Sequence, residues 1–159
     1  MPLKTKLASL DPTYGLKADA TPLEWTTVRA RLEAAETYWI STVTPSSTPW
    51  PRPVDGNWLD EAFYFSGSTQ SRWFKNLGHN PSAVLHLEEG KDPVMVHGEV
   101  IKGALDGALV DTLIERTQEK YGYAMPREMF ASENMLTFRP RFCLSWSLLY
   151  EDATRFDFE

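Results

Sequence analysis

The sequence predicts a mainly β domain of the α+β class, with six antiparallel strands rolled into a closed or partly closed barrel and flanked by helices. Three observations lead there. Apolar residues alternate at period two through most of the segments between Tyr38 and Leu149, which is the signature of half-buried strands. Pro, Gly, Ser and Asp clusters punctuate those segments at short intervals, as hairpins require. Helical periodicity interrupts the series at only two places, between the third and fourth strands and between the fifth and sixth. Short antiparallel strands at such spacing favour closure, because a barrel removes exposed edges.

The elements follow in order. Residues 1–20 hold Pro2, Pro12 and Gly15 without an apolar period and are expected as an irregular arm, leaving 21–159 as one domain. A helix is expected from Thr21 to about Thr37: Thr21 and Glu24 form a capping box, Pro22 suits the first turn, and Trp25, Val28, Leu32 and Ala35 recur on one side. Tyr38–Val43 is the first strand, and Trp50–Trp58 is a second extended run. Pro51 and Pro53 within that run remove ladder donors, so it belongs at an edge or beside something other than a strand. Ala62–Ser66 returns as a hairpin partner. Arg72–His79 is a short helix stopped by Asn80-Pro81. Ala83–Glu88 and Val94–Lys102 continue the sheet, with Gly98 marking a bend or bulge. Asp106 caps a helix through Tyr121 that Gly122 stops, and Pro126 starts a further short turn. Met135–Phe138 and Phe142–Leu149 are the last two strands, followed by a tail at Ala153–Phe158.

Composition narrows the function classes. The chain has 159 residues and a net charge of −6, which argues against a dedicated phosphate-backbone binder, so no nucleic-acid partner is expected. No apolar run approaches the ~18 residues of a membrane span, and the opening MPLKTKLASL lacks a secretory apolar region. A soluble cytoplasmic protein is the expectation. Cys143 is the single cysteine, which leaves no intramolecular disulfide. His86 and His97 lie on successive strands and could pair across them, but the spacing supplies no third or fourth ligand for a metal. No G-x-S-x-G, P-loop, G-x-G-x-x-G or H-E-x-x-H pattern occurs. Six Trp and eight Phe exceed the needs of one small core, so some are expected at a ligand site or subunit interface.

The segment that carries chemistry runs from Arg52 to Asn80. Ser66 to Ser71 supplies hydroxyls and flexible backbone at the mouth of a helix, and Arg72 and Lys75 follow within its first turn. A helix N-terminus adds unpaired N–H groups and the positive end of its dipole. Together with the planar guanidinium of Arg52 these groups suit a phosphate. The same features also describe an ordinary capped surface helix.

The runs RPVDGNW (Arg52–Trp58), FYFSGSTQSRWFKNLGHNPSAVLHLE (Phe63–Glu88) and PVMVHGEV (Pro93–Val100) resemble the pyridoxamine 5′-phosphate oxidase-like superfamily, as do YWISTV (Tyr38–Val43) and ATRFDF (Ala153–Phe158). The resemblance implies a split β-barrel that binds flavin or deazaflavin, and a homodimer with its cofactors in the interface grooves. It places the cofactor phosphate on Arg52, Ser66, Gly67, Ser71 and Arg72. It sets the backbone from Pro53 through Val54 and Asp55 to Asn57 beside the ring. Two positions depart from the family pattern: Trp73 and Asn57 stand where family oxidases usually carry Lys. Lys75 can replace one charge by reaching back over a turn, and Trp73 can stack on a ring. The expected function is an FMN-dependent oxidoreductase acting on a small conjugated or ring-containing molecule, with no dedicated catalytic side chain. The alternatives are a deazaflavin-dependent reductase, a non-catalytic carrier of flavin, haem or another planar ligand, and a barrel that has lost its ligand and serves as an interaction module.

Overall fold

The computed structural model describes residues 3–159. Its strands are β1 (Leu3–Leu7), β2 (Tyr38–Val43), β3 (Pro49–Val54), β4 (Asn57–Leu59), β5 (Ala62–Ser66), β6 (Ser82–His86), β7 (Val94–Lys102), β8 (Met135–Ser145) and β9 (Thr154–Phe158). The helices are α1 (Trp25–Ala34), α2 (Arg72–His79), α3 (Gly107–Tyr121), α4 (Arg127–Phe130) and α5 (Leu149–Asp152). One antiparallel sheet runs in the order β1-β9-β8-β7-β6-β2-β3, and β5 joins it by pairing with both β4 and β8. The barrel is split rather than closed.

The long strand β8 explains the split. From Leu136 to Ser145 it pairs with β7 on one edge, with Arg141 the extra residue of a bulge, while its other edge changes neighbour. Met135–Phe138 pair with β5 and Phe142–Ser145 pair with β9. Pro140 falls at the changeover, in register with neither, where its missing N–H disrupts no ladder on that side. Opposite it the register of β7 shifts between His97 and Gly98. A Cβ on Gly98 would stand 2.1 Å from the Arg139 carbonyl oxygen, so only glycine lets the two backbones close up at this bulge. The two final strands expected from the sequence are therefore one.

The second extended run divides instead. Trp50–Trp58 was expected as one strand; β3 pairs with β2, β4 pairs with β5, and Asp55-Gly56 forms the break between them. A Cβ on Gly56 would lie 2.5 Å from both the Phe63 ring and the Tyr64 carbonyl oxygen. Asp60 and Glu61 then turn the chain with φ of 49° and 57°, the double left-handed geometry of a tight hairpin.

Three further differences have local causes. Residues 1–20 are not an irregular arm throughout, because Leu3–Leu7 pair with Phe158–Thr154, which also makes the tail a strand. The capping box does not form, and α1 begins at Trp25. The Thr21 and Leu23 amides instead donate to the Glu151 carbonyl and to Thr154 Oγ1, at 2.9 and 2.8 Å. That tertiary bonding keeps residues 21–23 extended. Asp106 is the N-cap of α3, but its side chain makes no capping bond.

The core lies between the inner sheet face, α1 and α2. Trp58, Tyr38, Phe63, Phe138, Phe156, Leu32 and Ile40 are all fully buried in it. Trp25 seals one end against Trp58, Phe156 and Phe158. On the other side, α2 docks on β2 through Phe74 and Leu77 and through Asn76, whose Nδ2 donates to Thr42 Oγ1 at 3.1 Å. A second, smaller apolar cluster holds α3 and α4 to the sheet through Val110, Leu113, Phe130, Leu59 and Met135.

Candidate functional site: a ring-sized cavity beside a cationic recess

The break between β3 and β4 opens onto a cavity of about 300 Å³. Its floor is the chain from Pro53 through Val54, Asp55 and Gly56 to Asn57, and one wall is Tyr64, Phe65 and Ser66 of β5. Trp73 of α2 closes one end. The opposite wall comes from α3, α4 and the segment between them, with Leu113, Thr117, Tyr121, Tyr123, Met125 and Phe130. A second recess of about 380 Å³ lies beyond Trp73, lined by Gln70, Arg72, Lys75, Asn76 and Pro45. Arg72, Lys75 and Asn76 line this recess, whereas Trp73 lines the first cavity. The first turn of α2 thus divides an aromatic compartment from a cationic one.

The candidate residues sort into these places. Pro53, Val54, Asp55, Asn57, Ser66 and Trp73 line the first cavity. Arg72 and Lys75 line the second, with Lys75 Nζ 3.4 Å from Gln70 Oε1. Gly67 lies under Trp73: a Cβ there would be 2.2 Å from the indole, which also stacks on Phe65 at 5.9 Å. Ser71 is the N-cap residue of α2, and its hydroxyl donates to the Ser68 carbonyl at 2.7 Å. Arg52 lines neither compartment. It stands opposite Ile40 in the ladder, on the face that α2 covers, with its guanidinium 4.7 Å above the Trp50 ring and Nη1 bonded to the Pro51 carbonyl at 2.8 Å.

The prolines of β3 have a definite chemical effect. The Thr44 amide donates to the Thr48 carbonyl, which sets the bonded pairs at 42·50, 40·52 and 38·54. Pro49, Pro51 and Pro53 therefore turn their nitrogens away from β2, and the outer edge of β3 between them presents carbonyl oxygens with no N–H. An incoming group meets acceptors there.

The end of α3 fixes the floor. Lys120 Nζ donates to the Ala35 carbonyl at 2.8 Å, to Tyr38 Oη at 3.0 Å and to the Gly56 carbonyl at 3.3 Å. Tyr121 Oη donates to the Glu36 carbonyl at 2.7 Å and accepts from the Gly56 amide at 3.0 Å. Burial, with the Arg116 charge second, pushes Lys120 down to about 8 against the pull of Glu36 and Glu33. Burial raises Tyr121 to about 12, with the Asp55 carboxylate adding to the rise, and burial followed by the Asp55 charge also holds Tyr123 up. Asn57 gives Nδ2–H to Thr117 Oγ1 at 2.9 Å, and its buried Oδ1 has no partner.

The histidines lie elsewhere. His97 faces Val84 and His86 faces Met95, so the two do not pair across their strands; they stack instead on Phe142 and Trp39. Cys143 is buried in the core, and desolvation raises its thiol to about 12.

Sequence reasoning missed the α3–α4 wall, including Thr117, Tyr121, Tyr123 and Met125. The available signal was the Tyr-Gly-Tyr run at the helix stop, where two aromatics flank a left-handed glycine (φ 72°).

The sequence matches the family model of pyridoxamine 5′-phosphate oxidase over residues 25–143, and the chain belongs to that family. A search of the curated proteins finds no match. Among solved structures, an "F420 Reductase" shares 18% identity at a TM-score of 0.53, over 70% of this chain and 91% of its own. A pyridoxamine 5′-phosphate oxidase-related, FMN-binding protein from Nostoc punctiforme shares 16% at 0.53, over 80% and 82%. HutZ, the haem storage protein from Vibrio cholerae, shares 18% at 0.55, over 76% and 89%. These likenesses show the split-barrel fold. Among the described residues no helix is long and apolar enough to cross a membrane.

Proposed function

We propose that the protein is a flavin-type oxidoreductase acting on a small planar molecule, with FMN as the favoured cofactor. One observation carries this reading: a ring-sized aromatic cavity and a recess with two cations lie on either side of the first turn of α2. A cofactor with a planar head and an anionic tail needs such a pair of compartments. Arg72, Lys75 and Gln70 would hold the tail by charge-assisted hydrogen bonds, whereas Arg52, which the family resemblance assigns to the phosphate, lines neither compartment. The floor from Val54 to Asn57, the Trp73 indole and Phe65 would flank the ring and exclude water from it. When bound, the flavin supplies hydride transfer, so the chain needs only to bind, orient and desolvate.

A deazaflavin is the second reading, and Trp73 and Asn57 favour it. They occupy positions where family oxidases carry Lys, and the Trp73 indole covers Gly67, at the end of β5 where the family resemblance puts the FMN phosphate. The solved structure named as an F420 reductase has this fold.

The reading includes a homodimer. The outer face of β2, β6, β7 and β8 carries Trp39, Val43, Val84, Met95, Phe142 and Leu144, all only partly covered, around a trough of about 370 Å³. A second copy of the chain would bury this face.

Titration of the purified protein with FMN and with the deazaflavin coenzyme, followed by fluorescence quenching, tests the assignment. Each charge-assisted contact is worth about 1.5–3 kcal/mol. Arg72→Ala and Lys75→Ala are therefore expected to raise the Kd of the preferred cofactor about tenfold or more. Unchanged affinity in both variants removes the tail assignment. A haem that co-purifies without reducible turnover would make the protein a carrier instead.

A further inference from the structure

From the chemistry of its lining we infer that the mouth of the ring cavity, formed by Asp55, Tyr121 and Tyr123, selects a planar substrate bearing a cationic, N–H-donating group. The inference rests on the reading of this cavity as the ring compartment of a flavin-type site, and it names the class of substrate that the mouth would hold beside the ring.

Charge comes first. Asp55 is the only formally charged side chain lining the cavity, and no Lys or Arg lines it among the described residues. The nearest amine, Lys120 Nζ, spends its three protons on the Ala35, Tyr38 and Gly56 oxygens beneath the floor. The cations of α2 line the other recess. An anion entering the ring cavity would lose hydration and meet a carboxylate, whereas a cation would meet a counter-charge in a partly desolvated setting.

Donor and acceptor balance points the same way. Pro53 lines the cavity with a carbonyl and no N–H, which favours a ligand that donates. Geometry then locates the cation. Tyr121 and Tyr123 stack at 5.8 Å with an interplanar angle of 25°, presenting π faces next to Asp55, whose charge is felt by both phenols. A carboxylate beside stacked aromatic rings is the arrangement that holds amidinium and ammonium groups. Tyr123 is 46% exposed, so this end of the cavity is open to an incoming ligand.

Three isosteres test the inference: benzamidine, benzamide and benzoate, each titrated by calorimetry and located by amide chemical shifts of Gly56 and Asn57. Benzamidine is expected to bind at least tenfold more tightly than benzoate, with benzamide between them. Asp55→Asn should bring benzamidine and benzamide to near-equal affinity, and Tyr123→Leu should weaken benzamidine alone. Benzoate binding as well as benzamidine, a ranking that survives Asp55→Asn, or no binding by any of the three overturns the inference. The series is run with and without saturating FMN or deazaflavin. Binding of the cofactor with the wrong ranking sinks the substrate class and leaves the redox reading. The right ranking in a protein that binds neither cofactor does the reverse.

Discussion

Trp73 occupies the position where the family departure is most consequential, and its surroundings show that the departure is matched locally. The indole rests on Gly67 and stacks on Phe65, so the missing Cβ and the large ring fit together. Gly67→Ala is expected to cost about 1–3 kcal/mol by overpacking. Most of that cost should vanish in a Trp73→Phe background, because the clashing atoms belong to the outer ring of the indole. A double-mutant cycle by urea denaturation measures the coupling. Lys120 gives a second measurement at this scale. Its folded pKa is depressed to about 8 from 10.5, so the native state binds fewer protons than the unfolded chain between those values. Lys120 is therefore expected to add stability as pH rises from about 8, on the order of 1 kcal/mol once solvent screening of the half-exposed amine is allowed for. The net rise is confined to about pH 8–9, because the buried Cys143 thiol, raised from 9.0 to about 12, opposes it above that. Above 10 stability falls, because Tyr121 and Cys143, both raised to about 12, retain their protons only when folded. Lys120→Met should flatten the rise; an unchanged slope would remove Lys120 as its source.

Elements were legible wherever a pattern was local. The period-two runs gave β2, β5 and β7, and the Asn80-Pro81 stop bounded α2. Elements failed where tertiary partners decided. Leu3, Thr5 and Leu7 alternate with Lys4 and Lys6, but two leucines are a faint signal until β9 lies alongside, with Lys6 paired to Asp157 at 2.7 Å. Nothing local in Arg139-Pro140-Arg141 tells a turn from a strand whose neighbour changes. The site divided in the same way. The residues of the β3–β4 break and of α2 were legible as a group from residue type and family likeness. The α3–α4 wall was not, since its aromatics touch the cavity only through the packing of a second apolar cluster. The bulge yields the test at this scale. Gly98→Ala would place a methyl against the Arg139 carbonyl and the Phe138 ring, so a loss of about 3 kcal/mol is expected, seen as a fall of roughly 6–12 °C in Tm.

At the scale of the whole molecule, one sheet face is covered by helices and the other is left with Trp39, Val84, Met95 and Leu144 incompletely buried. A monomer with so apolar a face tends to associate. Light scattering is expected to give about twice the 18.1 kDa chain mass. Val84→Arg, at the centre of that face, should return the chain mass itself without loss of the folded circular-dichroism spectrum. A wild-type monomer at micromolar concentration would remove the dimer.

The two tyrosines at the cavity entrance are mounted differently. Tyr121 is bolted to the Glu36 and Gly56 backbone, whereas Tyr123 hangs beyond the left-handed turn at Gly122 with its ring half in water. The entrance is thus asymmetric: replacing Tyr123 alters the rim alone, whereas replacing Tyr121 also releases the Gly56 backbone that floors the cavity.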